Sequence, residues 1–343
     1  MSNLANLVDR TLVFHAAFEA VVSEIETCFN FALEASEPIC LALVGPSRTG
    51  KSRALDVCER RHPKTRTIDG MLVPILRVTA PSKPTVKALA ELMLEGLGAE
   101  DATRGTENER TRRIKVLMRN TQTRMLIIDE FQHFFDKGTQ LVMHHVADWL
   151  KILVDDTRCA LVVAGLPSCQ NVIDTNEQLA GRFHAPIEMP RFSWENLEDR
   201  EEFIGILHAF YKVLSEHLKT PEFQQEAMAF RFYCATGGLV GYLTKILRRL
   251  VWQAIARKTT EITLEALHEA HEKAVWRGRV PKEFPRPFCR SFKPIPTGDL
   301  LRAAGLIGSS FDPVEDPDLD PKKRPRPERK IVVESAAACL IAK

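Results

Sequence analysis

The sequence has almost no excess of either charge: 47 Lys and Arg stand against 45 Asp and Glu, a formal +2 over 343 residues. Global charge therefore announces no nucleic-acid binder, and any such surface must be a local patch. No C-x-x-C pair occurs among the eight cysteines (Cys28, Cys40, Cys58, Cys159, Cys169, Cys234, Cys289, Cys339). The usual sequence sign of a zinc site or a dithiol redox centre is thus missing. Several of these cysteines lie in apolar runs and read as small buried hydrophobes in a reducing cytosol. No run approaches the ~18 uninterrupted apolar residues of a membrane span. No basic segment followed by an apolar stretch opens the chain, so no secretion signal is expected. Internal repeats are lacking as well. What is present is an ordinary globular composition, 45% hydrophobic and 27% charged. The length suits one large domain or two smaller ones.

Apolar positions at helical spacing, from Leu7 and Leu12 to Ile25 and Phe29, predict a helix over residues 5–35. Apolar runs without alternation at 39–44, 73–80, 125–129 and 159–165 read as buried parallel strands, with a short fifth at 185–189. Helical patterns separate them, including 84–98, the basic 112–120 and a segment through Val142, Trp149 and Leu153. Residues 99–111 are polar and loop-like. After Pro190 the pattern is helix only, over 194–218, 221–235, 239–257 and 263–276. Strands alternating with helices imply a parallel sheet, and helices alone afterwards imply a separate small domain. Prolines crowd in from about Val280, and 312–330 is charged and Pro-rich, a composition that does not support a packed core.

The stretch GPSRTGKS follows the first strand and opens a helix. Gly45, Pro46, Ser47, Arg48, Thr49, Gly50, Lys51 and Ser52 fit G-x-x-x-x-G-K-[ST] at every fixed position, and Arg53 continues into the helix. Glycines let the backbone curl so that N–H groups face phosphate oxygens, and the following helix presents its N-terminus to them. Lys51 is placed to reach the β- and γ-phosphates of ATP, and Ser52 to ligate Mg2+. A strand ending in an acid should accompany such a loop, and MLIIDE supplies it. Asp129 is the expected magnesium partner, and Glu130 the group that orients and activates the attacking water. An acidic pair after a strand is otherwise a common helix cap. His133 reads as a neighbouring or core residue. His144 and His145 are adjacent, point about 100° apart on a helix, and read as structural.

These motifs, with L-A-G-R-F (179–183) and T-G-G-L-V-G-Y-L (236–243) opening a helix in an all-helical part, resemble an AAA+ ATPase. Within that class the chain resembles the TniB/TnsC regulators of DNA transposition. The features are the helix before the P-loop, VTAPSKPT, LIIDEFQHF and the AGLPS strand end, and the resemblance covers about residues 5–275. It implies an α/β fold: an N-terminal helix and a P-loop AAA+ parallel sheet flanked by helices over 1–190. A small all-helical lid over 191–279 completes it, and the Pro-rich, charged stretch over 280–343 reads from its composition as a disordered tail. The resemblance implies hydrolysis of ATP with Mg2+ in the bacterial cytosol, assembly with itself into a ring or filament on double-stranded DNA, and work with a transposase and a TniQ-type target selector. Arg182 matches the arginine that reaches a neighbouring subunit's nucleotide, with Arg191 as a nearby competitor. An arginine that closes a helix end on a surface carboxylate is the plainer alternative for Arg182.

Two departures from the family pattern stand out. Gly241 occupies the place where many AAA+ lids carry an arginine. Gly165 stands where the fourth strand usually ends in a polar residue, with Ser168 as the candidate substitute. In related rings DNA lies along the axis, against loops that here hold Lys83 and Thr85, then Arg112 and Arg113; a solvated helix face is the alternative reading of the arginines. Such contacts would reach phosphates without reading sequence. Lys322–Arg326 reads as a solubilising extension or a second grip on DNA. A replication-initiator or helicase-loader ATPase and a P-loop signalling switch are the other functions the motifs allow.

Overall fold

The chain, seen in a computed structural model, is described over residues 2–68, 70–276 and 284–308. In chain order its helices and strands are α1 (Ser2–Ala5), α2 (Leu7–Arg10), α3 (Ala16–Phe31), β1 (Cys40–Val44), α4 (Lys51–Arg61), β2 (Thr65–Thr67), β3 (Gly70–Leu72), β4 (Ile75–Thr79), α5 (Val86–Gly96), α6 (Glu107–Asn120) and β5 (Met125–Asp129). There follow α7 (His133–Asp136), α8 (Gln140–Thr157), β6 (Ala160–Gly165), α9 (Cys169–Ile173), α10 (Glu177–Ala180), β7 (Ile187–Glu188), α11 (Leu197–Ser215), α12 (Glu226–Thr236), α13 (Val240–Arg257), α14 (Leu264–Val275) and α15 (Gly298–Leu306).

The apolar runs became strands because both of their faces are covered. β1, β5 and β6 are buried at every residue. They lie in one parallel sheet of order β4-β5-β6-β1-β7. On one face α5, α6 and α8 contribute Leu89, Met93, Ile114, Leu150 and Leu153. On the other, α3 and α4 contribute Val21, Ile25, Leu55 and Cys58. Register aligns the strand ends: Val44 pairs Gly165 and Thr79 pairs Asp129, so the strands stop together where the glycine-containing loop 45–50 begins. No helix among the described residues is long and apolar enough to cross a membrane.

Three local readings change. The helix expected over 5–35 is broken: α2 ends at Arg10 and α3 starts at Ala16, with Thr11–His15 extended between them. Thr65–Thr67 and Gly70–Leu72 pair as two unexpected antiparallel strands. α6 begins at Glu107 rather than 112, because Thr106 and Glu109 make a reciprocal capping box that satisfies the first N–H groups.

The helical part extends past residue 279. Phe288 and Ala304 belong to its core together with Phe203, Phe232, Leu247 and Leu250. Arg231 holds the irregular stretch by donating to the carbonyls of Pro287, Cys289 and Phe292. Proline content made 284–308 look like part of the disordered tail, and its aromatic anchors and this arginine fold it instead. The rest of that tail, 309–343 with Lys322–Arg326, lies outside the described residues, as do 280–283.

Candidate functional site

Gly45 must be glycine because the chain just past β7 lies close by: a Cβ there would sit 2.2 Å from the Met189 carbonyl oxygen. Gly50, at φ +111°, turns the chain into α4, whose N-terminus has no side-chain cap. Uncapped N–H groups beside a lysine are what a phosphate requires. Lys51 is 9% exposed and donates to the carbonyls of Gly45 and Pro46, each at 2.7 Å. Burial pulls its ammonium below the usual lysine range, and the nearby carboxylates of Glu130 and Asp129 oppose that. A cavity of about 350 Å³ is lined by Ser47, Arg48, Gly50, Lys51, Ser52 and Arg53 from the loop, Glu130 and Gln132 after β5, Gly165 and Leu166 after β6, and Gly241 from the lid. Four segments remote in sequence thus converge on one space.

Asp129 ends β5 in a buried position, and both of its oxygens are engaged. Oδ1 accepts the N–H of Glu130 at 3.0 Å, and Oδ2 accepts from Arg77 at 2.8 Å. Arg77 was not recognised in the sequence. It lies on β4 among apolar residues, and it also pairs with Asp56 and Glu59 of α4. An arginine inside a buried strand was the available signal. The same Arg77 nitrogen lies 3.5 Å from the Ser52 carbonyl oxygen, so α4 and the β5 end meet at one guanidinium. Ser52 and Asp129, a hydroxyl residue and a carboxylate residue on these two segments, are of the donor types that a hard oxygen-seeking cation takes. Ser52 and Asp129 would hold magnesium here, sharing Asp129 with Arg77. Bound magnesium would neutralise charge on the phosphates. Glu130 has φ +56°, an uncommon left-handed conformation for a side-chain-bearing residue, and is exposed to the cavity.

The place of the absent lid arginine has a steric explanation. The N–H of Gly241 donates to the Arg48 carbonyl at 2.8 Å, and a Cβ on Gly241 would lie 2.7 Å from the Cβ of Arg48. Arg48, itself at φ +70°, lays its guanidinium 4.6 Å over the Tyr242 ring. The lid helix α13 therefore rests on the phosphate loop directly, backbone to backbone. A second cavity of about 220 Å³ adjoins it, lined by Thr49, Gly50 and Arg53, by Leu12, Val13 and Phe18, and by Phe210, Val240 and Thr244. Asp9 ties its walls together: its carbonyl accepts from Arg53 at 2.7 Å and its carboxylate pairs with Arg248 of α13. The extended Thr11–His15 segment builds this wall, which a continuous helix could not.

The remaining expected residues lie elsewhere. Arg182 is near the start of β1, where its carbonyl accepts from Cys40 N–H, at the opposite end of the strand from the loop. Its guanidinium pairs with Asp155 at 2.8 Å and donates to the Gln178 carbonyl at 2.6 Å. Arg191 donates to the carbonyls of Gly305 and Ile307 at the end of α15. Ser168 is not among the residues lining the phosphate cavity. Lys83 is exposed in the turn before α5, and Thr85 caps that helix by accepting from Ala88 N–H. Arg112 is exposed, whereas Arg113 donates to the carbonyls of Asp101 and Arg104. His133 reaches the Ala80 carbonyl, and His145 pairs with Glu107.

Comparison with known proteins places this architecture. Among solved structures the chain is similar to the ORC2 protein of Aeropyrum pernix (ADPNP-ADP complexes), with TM-score 0.58, 11% identity, and 78% of this chain and 71% of that one covered. It is also similar to CDC6P of Pyrobaculum aerophilum, with TM-score 0.57, 13% identity and 78% and 70% covered. The Aeropyrum pernix ORC1 protein in complex with DNA gives TM-score 0.53, 14% identity and 79% and 69% covered. At these identities the likeness is one of fold, the parallel sheet and helical second part of AAA+ ATPases. No curated protein matches the chain. The family model described as Bacterial TniB protein matches residues 4–194. On that match and this architecture, the chain belongs to the TniB family and has the fold of an AAA+ ATPase.

Proposed function

We propose that this protein is an ATP-hydrolysing regulator of DNA transposition. It assembles on target DNA and links a target selector to a transposase, and hydrolysis limits the lifetime of the assembly. The observation that carries the ATP reading is the single cavity in which Lys51, Ser52, Glu130 and the lid residue Gly241 meet. Triphosphate lies on the uncapped start of α4, and the base enters the neighbouring cavity between Leu12, Val13 and α13. Glu130 takes a proton from the attacking water; Asp129 and Ser52 are the residues that would hold a magnesium ion, which would neutralise phosphate charge. Membership of the TniB family supports the transposition role over replication initiation. The neighbour solved in complex with DNA supports a DNA-bound form.

Arg182 completes the site from the next subunit in this reading. Its partner Asp155 would release the guanidinium when a neighbour's γ-phosphate approaches. Arg182→Ala should therefore bind ATP but hydrolyse it poorly, and mixing it with Lys51→Ala should restore part of the turnover. Wild-type turnover per subunit in Arg182→Ala alone would remove the residue from that role.

The DNA role is tested by fluorescence anisotropy on two unrelated duplexes across a salt series, with and without a non-hydrolysable ATP analogue. Binding should need the analogue, ignore sequence, and weaken with a logarithmic slope near −0.9 per phosphate contact. Lys83→Ala, and separately Arg112→Ala with Arg113→Ala, should each make that slope shallower. Thr85 and Arg113 have protein partners, so Lys83 and Arg112 carry most of the expected effect. Nucleotide-independent binding, or wild-type slopes in both variants, would place the DNA surface elsewhere.

A further inference from the structure

Gly165 ends β6 without a side chain, yet the space beside it is filled. The side chain of Gln132, 5% exposed, lies there: a Cβ on Gly165 would sit 2.1 Å from Gln132 Oε1. That oxygen accepts the N–H of Leu166 at 3.1 Å. An N–H group can only face the oxygen of an amide, so the other end of Gln132 must present its NH2. That end donates to Glu130 Oε2. One buried amide therefore bridges the carboxylate after β5 and the backbone after β6, and both its ends are determined by their partners. The Sγ of Cys169 closes the pocket 3.8 Å from Gln132 Oε1.

We propose that Gln132 is the positioning residue for Glu130, supplying from the β5 side the polar contact that the end of β6 lacks. The inference rests on the reading of Glu130 as the group that activates water. Glu130 sits on strained left-handed backbone at a cavity mouth, and without a tether its carboxylate would turn among rotamers. The Gln132 amide selects one of them and ties it to β6, so the base holds its aim relative to the loop that begins at Gly45. Gly165 is required for the same reason, since any side chain there would evict the amide.

The test uses the full-length chain. Gln132→Ala should lower kcat about tenfold or more, a part of the 10²–10⁴ that a placed base supplies. Gln132 lines the cavity, but both ends of its amide are committed to Glu130 and to the Leu166 N–H, so the affinity for a non-hydrolysable ATP analogue should fall by a smaller factor than kcat. A residue that acts through Glu130 has nothing left to position once that carboxylate is gone. In the Glu130→Gln background, Gln132→Ala should therefore cause no further loss of turnover, a non-additivity that a general packing defect would not produce. Gly165→Ala is the second variant; it keeps Gln132 and should reproduce the kinetic loss by displacing its amide. Wild-type kcat in Gln132→Ala, or losses that multiply fully in the double variant, overturns the inference. If Glu130→Gln itself keeps wild-type turnover, the reading of Glu130 fails, whatever Gln132 does.

Discussion

Glu130→Gln should bind ATP as the parent chain does and hydrolyse it about 10²-fold more slowly, with DNA-bound assemblies that persist. The substitution is nearly isosteric, so the contacts around it survive. The Glu130 N–H still donates to Asp129 Oδ1, and the Gln132 amide still finds an oxygen. The left-handed backbone costs a glutamine about what it costs a glutamate. What is lost is the carboxylate's basicity together with its negative charge, which also acts on the Lys51 ammonium. Phosphate release under saturating ATP, beside titration with a non-hydrolysable analogue, separates the two effects. Unchanged phosphate release would take Glu130 out of the chemistry.

Lys51→Ala should instead lose nucleotide, with affinity reduced by about 10²-fold, the upper range of a charge-assisted hydrogen bond. The ammonium is buried in the phosphate cavity and holds the loop's own carbonyls, Gly45 and Pro46, at 2.7 Å. Phosphate oxygens are stronger acceptors than these carbonyls, so the amine exchanges one set for the other. Alanine removes the cation and also releases the loop. A thermal melt alongside calorimetric titration distinguishes lost binding from lost folding. ATP affinity equal to the parent chain's in a folded Lys51→Ala protein would sink the phosphate-loop assignment.

Much of the frame could be read from local pattern. MLIID became β5 at the residues expected, since a buried parallel strand needs an unbroken apolar run and nothing distant alters that. The helix over 84–98 and the four after Pro190 appear within a few residues of their expected spans, because each carries its own apolar stripe and stop signal. The capping box at Thr106 and Glu109 was also legible, as S/T-x-x-E, and would have started α6 correctly. The break at Thr11–His15 was not legible. Its apolar residues keep helical spacing, and the contacts that hold it are with residues far along the chain: Val8 and Val13 pack on the core of the later helices, and Asp9 meets Arg53 and Arg248. The stretch 284–292 was hidden for a similar reason, its order coming from Arg231 and the α12 core, whereas α15 carried its own signal in the Thr297 cap and in Leu300, Leu301 and Ala304.

By itself the sequence determined the glycine-containing loop before a helix, the acids at the end of β5 and the alternation that makes a parallel sheet, because each depends on neighbours within a few residues. The tertiary structure alone decided how those parts are held. Arg77 drew no notice in the sequence; the pairing of β4 with β5 sets it against Asp129. Gly241 looked like a missing arginine until α13 docked and left no room between it and Arg48. Gly165 looked like a gap until Gln132, 33 residues earlier in the chain, filled it. In each case the deciding contact joins residues whose separation along the chain carries no periodic signal. Only the closeness of two backbones, or the pairing of a buried polar group, records it.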